Sequence, residues 1–145
     1  MPNWVEVAFA EYQKRMPHEA RIQLLEIKPE KRMRGKTAQQ IMATEAERIT
    51  AAIPKGVLCI ALDEHGQQCT SPALALEMQK WLAAGRDASL VIGGADGLAP
   101  EIKARADWLW SLSPLTLPHG MVRVLLAEQL YRAHSILRNH PYHRE

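Results

Sequence analysis

The sequence contains few cysteines, no long apolar run and little excess charge, and each absence excludes a class of protein. Only two cysteines, Cys59 and Cys69, occur among 145 residues, so a disulfide framework does not hold this fold. No run of about 18 apolar residues occurs, and the start, MPNWVEVAFAEY, lacks a basic segment followed by an apolar one. Neither a membrane-spanning helix nor a signal peptide is therefore predicted, and the cytoplasm is the expected compartment.

The composition is that of an ordinary globular domain. Hydrophobic residues make up 47% of the chain and charged residues 23%, a balance typical of proteins that fold around an apolar core. A chain of this length buries roughly two thirds of its unfolded surface in one domain. Residues 1–145 are therefore predicted to form a single domain. The net charge of +2 is too small to predict nucleic-acid binding on its own.

Short apolar runs alternate with helical patterns along the chain. The runs predict four strands, at residues 21–27, 56–62, 88–93 and 108–113. This alternation favours an α/β fold with a parallel sheet. Helices are predicted at the start of the chain around Trp4 to Tyr12, from Thr37 to about Ala52, from Ser71 to Gly85, from Pro100 to about Ala106, and over 121–138.

Two of these helices have specific signals at their ends. Thr37 and Gln40 have the spacing of a capping box, in which each side chain bonds the other residue's backbone N–H. Ser71 followed by Pro72 predicts an N-cap and a first helical residue, and Gly85 predicts the carboxyl end of the same helix. Cys59 lies inside the apolar run GVLCIAL, so a reduced core cysteine is predicted.

A glycine-rich turn, GGADGLAPE, follows the third predicted strand. Open α/β sheets bind ligands at the carboxyl ends of their strands. The positions of Gly93, Gly94 and Gly97 match neither the dinucleotide-binding motif nor the phosphate-binding loop. A ligand site and a simple tight turn remain equal alternatives here, because glycine serves both.

The loop after the last predicted strand, Ser113 to Gly120, is longer and more apolar than most strand-to-helix loops. Its Leu115 and Leu117 either cap the core or line a pocket for a flat apolar group, with backbone groups bonding the edge of that group. The residues alone do not choose between these two interpretations.

The final helix and the tail contain most of the remaining polar candidates. Glu128, Arg132, Ser135 and Asn139 are spaced to form one polar stripe, which is a solvated face unless something buries it. The tail NHPYHRE adds His140 and His143, but no cysteine pair or carboxylate cluster near them has zinc-ligand spacing. No metal site is therefore predicted.

A basic loop, KPEKRMRGK, covers residues 28–36. It contains five cations among nine residues. Such a loop is either a solvated surface segment or a contact for nucleic-acid phosphates, whose strength would fall with salt.

Several of these segments together resemble one family. ALDEHG, LVIGGADGL and WSLSPLTLPHGMVRVLLAEQLYRAHSILRNHPYHRE are similar to the SPOUT-class methyltransferases that act on pseudouridine in bacterial large-subunit ribosomal RNA. The resemblance covers essentially the whole chain. It implies an α/β parallel-sheet SPOUT fold with a C-terminal trefoil knot, a homodimer, and S-adenosylmethionine as methyl donor. It also implies transfer to N3 of a pseudouridine on the assembled ribosome.

The resemblance assigns roles to residues of this chain. The cofactor pocket is expected at the end of one strand, in the glycine turn and in the apolar loop. His119 ahead of the final helix, polar residues of that helix and the tail are expected to approach the cofactor pocket and to form the side that faces the RNA. In a symmetric dimer the tail would complete a pocket formed largely by the partner. The cofactor residues are Leu62, Gly94, Ser113, Pro114, Leu115, Thr116, Leu117 and Pro118; the catalytic candidates are His119, Glu128, Arg132, Tyr142, His143 and Arg144.

A general base for the N3 proton, or a cation that favours the deprotonated base, would help the transfer. Holding nitrogen, methyl carbon and sulfur in line is the alternative source of the acceleration. His119, His143 and Glu128 are candidates for the base, and Arg132 and Arg144 for the cation. The sulfonium already activates the methyl group, so both cysteines are expected to be bystanders.

One departure from the family pattern and three competing hypotheses remain. The family has a strand before its first helix, and the chain as given lacks it. A SPOUT enzyme acting on another RNA position, a non-catalytic ribosome-binding protein that kept the fold, and a flavodoxin-like nucleotide-binding module are the competing hypotheses. The last of these leaves the tail unexplained.

Overall fold

A computed structural model describes residues 1–94 and 97–144 of the chain. The chain begins with two helices that have no strand between them, and strands and helices alternate from residue 58 onward. Short 3₁₀ turns occupy His18–Ala20 and Pro141–Arg144. The main elements are α1 (Asn3–Arg15), α2 (Ala38–Ala52), β1 (Leu58–Gln67), α3 (Ser71–Ala84), β2 (Ala88–Val91), α4 (Pro100–Arg105), β3 (Trp108–Trp110) and α5 (His119–Leu137).

The sheet has three parallel strands in the order β2-β1-β3. Ile60 at its centre lies opposite Leu90 on one side and Trp108 on the other. The predicted parallel α/β sheet is therefore confirmed, and three of the four predicted strands belong to it. Both neighbours of β1 are shorter than predicted.

The strand predicted at residues 21–27 is wrong. This segment has no strand pairing, and its Leu24 and Leu25 are exposed. The carbonyl of Ile22 accepts a bond of 2.9 Å from the Gln13 side chain of α1 instead of pairing with a sheet edge. An apolar run becomes a strand only where a partner strand satisfies its backbone.

The core lies on both faces of the sheet. Successive β1 side chains point to opposite faces, so Cys59 and Ala61 pack with α2 and α4, whereas Ile60 and Leu62 pack with α3 and α5. Cys59 is a free, buried thiol, as predicted. Within the described ranges, no helix is long and apolar enough to cross a membrane.

The helix ends confirm most of the local signals. Thr37 and Gln40 form both bonds of the predicted capping box. Gly85 ends α3 with a left-handed φ of 62°. The predicted N-cap of α3 is wrong by one residue, because the Thr70 hydroxyl accepts the bond from Ala73 N at 3.2 Å. Ser71, the first helical residue, is thereby free to bond elsewhere.

The stability of the fold should fall as the pH drops below about 6.5, and His134 should contribute to that fall. His134 is 8% exposed in α5; burial lowers the pKa of its imidazole, Arg138 lowers it further and Glu19 opposes both. In the unfolded chain His134 takes up a proton near its ordinary pKa, whereas in the folded chain it does so only at lower pH. Protonation therefore favours the unfolded chain. Urea unfolding at about pH 7.5 and 5.5 tests this.

His134→Gln should reduce the loss of stability between those two pH values. Glu11, Glu19 and Glu30 also have lowered pKa values in the folded chain. They affect stability only at more acidic pH, because the ordinary pKa of a glutamate is near 4.5. Equal losses in wild type and His134→Gln would contradict the assignment.

Candidate active site

The loops that follow the three strands meet at one edge of the sheet, because the carboxyl ends of parallel strands lie together. Leu62 is buried in β1, Gly94 follows β2, and residues 111–118 follow β3. The Thr116 hydroxyl donates to Glu64 Oε2 at 2.8 Å and ties the last loop to β1. The structure thus brings the three parts of the expected cofactor pocket to the same edge.

A cavity of about 390 Å³ opens beside the loop that follows β3. Of the expected cofactor residues, Ser113 and Leu117 line it, whereas Leu62 and Gly94 do not. Pro114, Leu115, Thr116 and Pro118 are exposed on the outer side of the loop. The cavity walls are Cys69, Thr70, Ser71, Leu74, Trp110, Ser111, Leu112, Ser113, Leu117, Leu125 and Gln129.

Two internal hydrogen bonds shape that loop. The buried Ser111 hydroxyl donates to the Ser113 carbonyl at 2.8 Å, and Leu115 N donates to Ser113 Oγ at 3.0 Å. Ser113 therefore accepts at both its backbone and its side chain. The loop is held in shape by its own residues.

The glycine turn after β2 requires glycine at two positions and does not require it at a third. A Cβ on Gly93 would lie 2.7 Å from the backbone carbon of Gly97, and Gly97 itself has a φ of +81°. Among the described residues, a Cβ on Gly94 would meet only the Glu45 side chain, at 3.5 Å. Turn geometry therefore explains Gly93 and Gly97, whereas the described part of the turn gives no steric reason for glycine at 94. Ala95 and Asp96 lie outside the described residues.

Glu128, Arg132 and Tyr142 form one cluster on the side of α5 that the tail covers. Arg132 Nε donates to Glu128 Oε1 at 2.9 Å, and its guanidinium lies 4.9 Å from the centre of the Tyr142 ring. Their side chains are only 14% and 25% exposed, for Glu128 and Arg132 respectively. The tail therefore buries part of the predicted polar stripe, which is not a freely solvated face.

The other two residues of the predicted stripe, Ser135 and Asn139, do not form a common surface with this cluster. Ser135 is 2% exposed and donates to the Tyr131 carbonyl at 2.9 Å. Asn139 has a φ of 54° and turns the chain out of α5. The prediction of a continuous polar stripe is wrong at Ser135, because α1 and α5 pack together along this part of the helix.

Three tyrosines surround the cluster. The Tyr142 ring lies edge-on to Tyr131 at 4.7 Å between centroids, and its hydroxyl donates to the Tyr12 hydroxyl at 3.2 Å. Burial, followed by this hydrogen bond, raises the pKa of Tyr142, and the bond to Glu128 raises the pKa of Arg132. At neutral pH the site therefore presents a phenol that stays protonated and a guanidinium that stays charged.

Gln129 connects this cluster with the cavity. Its side-chain oxygen accepts from Ser71 Oγ at 2.6 Å in the cavity wall, and its nitrogen donates to Glu128 Oε1 at 3.1 Å. Sequence reasoning missed both Ser71 and Gln129 as site residues. Ser71 and Gln129 are 58 positions apart, and no motif spacing signals such a contact.

The remaining tail residues are placed in part. The His140 N–H donates to the Ser135 carbonyl at 2.8 Å, and His140 Nδ1 accepts from Tyr142 N at 3.2 Å. His143 is half-buried, and its Nδ1 has no hydrogen-bond partner among the described residues. The side chain of Arg144 lies outside the described part of the chain. In residues 1–94 and 97–144, no three His, Cys, Asp or Glu side chains gather closely enough to hold a metal.

His119 lies apart from the cluster, at the first residue of α5. It precedes Glu128 by nine positions, which is about 13 Å along the helix axis. Its Nδ1 lies 2.8 Å from the Gly93 carbonyl. The structure thus divides the six catalytic candidates: it joins three of them, places His119 at the glycine turn and His143 in the tail, and leaves the Arg144 side chain undescribed.

Comparison with known families places the chain in one of them. A family model described as "Predicted SPOUT methyltransferase" matches residues 1–143. The chain belongs to the SPOUT methyltransferase family. The resemblance indicated by the loops and the tail is thereby confirmed, and so is the SPOUT α/β fold. The trefoil knot of that fold stays a prediction.

Members of this family that are similar over almost the whole chain are named "Ribosomal RNA large subunit methyltransferase H". The protein from Methylobacillus flagellatus is 58% identical over 145 residues, 100% of this chain and 93% of that protein. The protein from Ralstonia nicotianae is 62% identical over 144 residues, 99% of this chain and 92% of that protein. The protein from Burkholderia vietnamiensis is 60% identical with the same coverage.

Proposed function

We propose that this SPOUT protein transfers a methyl group from S-adenosylmethionine to N3 of a pseudouridine in large-subunit ribosomal RNA, on the assembled ribosome and hence in the cytoplasm. The observation that carries the proposal is the hydrogen-bonded path from the cavity wall, through Gln129, to Glu128 and Arg132 under Tyr142. The RNA substrate is proposed from the relatives' names, because each relative is called a large-subunit ribosomal RNA methyltransferase.

The cavity fits the adenosyl part of such a donor. Leu74, Leu112, Leu117 and Leu125 provide apolar walls for a flat ring. The indole N–H of Trp110 is buried in the same wall without a hydrogen-bond partner in the described chain. This N–H partly opposes the rise in the pKa of the Cys69 thiol, but it does not meet the geometry of a hydrogen bond to the sulfur. An unpaired donor in an apolar slot suits the nitrogen-bearing edge of a purine.

When bound, S-adenosylmethionine supplies a methyl group already activated by its sulfonium, so no covalent enzyme nucleophile is needed. This agrees with the two thiols: burial raises the pKa of the Cys59 thiol, and partial desolvation raises the pKa of the thiol of the exposed Cys69. The chain's own work is to hold N3 in line with the methyl carbon and to accept the N3 proton.

Among the three candidate bases, His143 is favoured as the acceptor of the N3 proton, because the other two already have hydrogen-bond partners. Glu128 Oε1 already accepts from both Gln129 and Arg132, and both ring nitrogens of His119 are in contact with other groups. His143 Nδ1 has no such partner among the described residues. Arg132 then stabilises the negative charge left on the base ring, and Arg144 is proposed to assist it.

We further infer a homodimer in which the tail of one subunit completes the cavity of its partner, built on the knotted fold of the family. Several large apolar side chains are exposed, including Trp4 at 53% and Leu115 at 70%. Exposed side chains of this size favour a surface that a partner covers. A symmetric interface would use the same surface on both subunits.

The basic loop at residues 28–36 is proposed to contact ribosomal RNA phosphates. Glu30 pairs with Lys36 at 3.2 Å and Arg48 at 3.4 Å, which anchors the base of the loop. Lys31 and Arg34 are exposed beyond it. Ion pairs therefore hold the start and end of the loop in place, and its other cations extend into solvent.

Replacing Lys31 and Arg34 by Gln should weaken ribosome binding and reduce the steepness of its salt dependence by about one for each phosphate that the loop no longer neutralises. The apparent KM for ribosomes, measured over a series of salt concentrations, tests this. Lys80→Gln on α3, a cation paired with Glu77, is the matched control and should leave the slope unchanged. An unchanged slope in the double variant would remove the loop from the RNA interface.

The function itself is tested by transfer of labelled methyl from S-adenosylmethionine to ribosomes that lack large-subunit modifications, with the modified nucleotide identified by mass. Label on N3 of one pseudouridine is the expected result. Label on another nucleotide would favour a SPOUT enzyme of different specificity. Donor binding without transfer would favour a non-catalytic ribosome-binding protein, and nucleotide binding without donor binding would favour the flavodoxin-like alternative.

A further inference from the structure

The first turn of α5 contains a chain of contacts that joins the glycine turn to a buried arginine. His119 Nδ1 lies 2.8 Å from the Gly93 carbonyl oxygen, and His119 Nε2 lies 3.3 Å from Arg123 Nη2. The two side chains are four residues apart, which places them on one face of the helix. One imidazole thus bridges a loop carbonyl and a guanidinium.

The partners determine which nitrogen of His119 carries the proton. A carbonyl oxygen only accepts hydrogen bonds, so Nδ1 must be the donor to Gly93. A guanidinium only donates, so Nε2 must be the acceptor from Arg123. The neutral Nδ1–H tautomer satisfies both contacts. A proton added to Nε2 would break the bond to Arg123 and set two cations side by side.

Arg123 is fixed by its surroundings. It is 8% exposed, its Nη1 donates to Glu26 Oε1 at 3.1 Å, and its Nε is buried without a partner among the described residues. Glu26 lies on the extended segment between α1 and α2, and its side chain is 60% exposed. A buried guanidinium is costly unless it is held by partners. Here those partners link three separate segments of the chain.

We propose that His119 and Arg123 are positioning residues for the methyl-donor site, and that His119 is not the general base. Together they hold the Gly93 carbonyl, and thereby keep the neighbouring Gly94, where a side chain is absent, in place for the donor. Arg123 acts through His119, and Glu26 holds Arg123. This inference rests on the proposed methyl transfer, because it assigns the turn to the donor.

The test compares His119→Asn with His119→Ala. The Asn side-chain N–H occupies nearly the position of Nδ1 and keeps the bond to Gly93, whereas Ala keeps neither bond. We expect His119→Ala to raise the Kd and KM for S-adenosylmethionine about tenfold, the effect of one lost hydrogen bond. His119→Asn should recover most of that loss. The kcat at saturating donor should stay within about threefold of wild type, and the shape of its pH profile should be unchanged.

A second comparison uses Arg123→Met, which keeps the apolar stem and removes the guanidinium. It should raise the donor Kd in the same direction as His119→Ala, and the double variant should be no worse than His119→Ala alone, because both act on the same contact. Thermal unfolding by circular dichroism confirms that each variant is folded. Independent, additive losses would overturn the chain of contacts.

Two outcomes would overturn the role of His119. A fall in kcat of about 100-fold in both His119 variants, with loss of the acidic limb of the pH profile, would make His119 the base. An unchanged donor Kd in His119→Ala would remove it from the donor site. Donor binding is measured by calorimetry without RNA, so failure of the wild type to methylate ribosomes leaves this test intact. Failure of the wild type to bind the donor would overturn both proposals.

Discussion

Removal of residues 140–145 should lower methyl transfer to ribosomes by about 10² to 10⁴-fold, the range expected when a general acid or base is lost, while the remaining chain stays folded. The truncation removes His143, whose Nδ1 is buried without a partner in the described chain. It also removes Tyr142 from above Arg132. The measurement is single-turnover methyl transfer at saturating S-adenosylmethionine.

The truncation also affects stability, and single substitutions separate the two effects. Tyr142 packs against Tyr12 and Tyr131, and each aromatic pair contributes about 0.5 to 1.5 kcal/mol beyond the area that it buries. The truncated chain is therefore expected to lose a few kcal/mol of stability at most. His143→Ala keeps this aromatic packing, so comparing its loss of activity with that of the truncated chain separates the loss of the imidazole from the loss of the tyrosine contacts.

The exposed His18 provides a matched control. His18→Ala changes the same residue type in the turn after α1 and should leave methyl transfer unchanged. Tyr142→Phe keeps the ring over Arg132 and removes only the bond to Tyr12, so it separates the phenol from the ring. Full activity in both the truncated chain and His143→Ala would show that the tail does not belong to the site.

Gly93→Ala should destabilise the fold by about 3 kcal/mol, the upper part of the range for overpacking a close contact. The added Cβ would lie 2.7 Å from Gly97 C and 2.9 Å from Leu98 N. Both are backbone atoms, which do not move aside as the end of a flexible side chain does. The turn that contains Gly94 would have to open, so donor binding should be lost together with stability.

Gly94→Ala is the matched variant one residue away. Among the described residues its Cβ would contact only the Glu45 carboxylate, at 3.5 Å for Oε1, so stability should change by no more than about 0.5 kcal/mol. If Gly94 faces the donor, the affinity for S-adenosylmethionine should nevertheless fall about tenfold or more. Urea unfolding and calorimetry on both variants separate the two effects.

Two results would contradict this assignment. Equal stability of Gly93→Ala and wild type would mean that the turn adapts to a side chain. Unchanged donor affinity in a stable Gly94→Ala variant would mean that the glycine at 94 is not needed by the donor.

Local signals predicted the features that depend on neighbouring residues. The capping box of α2 and the left-handed end of α3 formed as expected from Thr37, Gln40 and Gly85. Each involves groups at most a few positions apart, so no distant partner had to be known. The apolar runs at β1, β2 and β3 were equally clear because these strands are covered on one or both faces.

The sequence-based predictions failed where a contact with a distant segment determined the local structure. The run at 21–27 looks like a strand, yet Gln13 of α1 takes the Ile22 carbonyl. Ser71 looks like a helix cap, yet its hydroxyl bonds Gln129 and Thr70 caps the helix. In each case two local solutions had similar merit, and a contact from another element decided between them.

The sequence by itself determined the family, the α/β alternation and the loops at which a ligand is expected, because caps, apolar runs and the C-terminal motif are encoded in neighbouring residues. The tertiary structure alone decided that Glu128 and Arg132 lie under Tyr142 and that His119 bridges Gly93 and Arg123. Side chains far apart in sequence acquire a distance, a tautomer and a degree of burial only when packing brings their elements together.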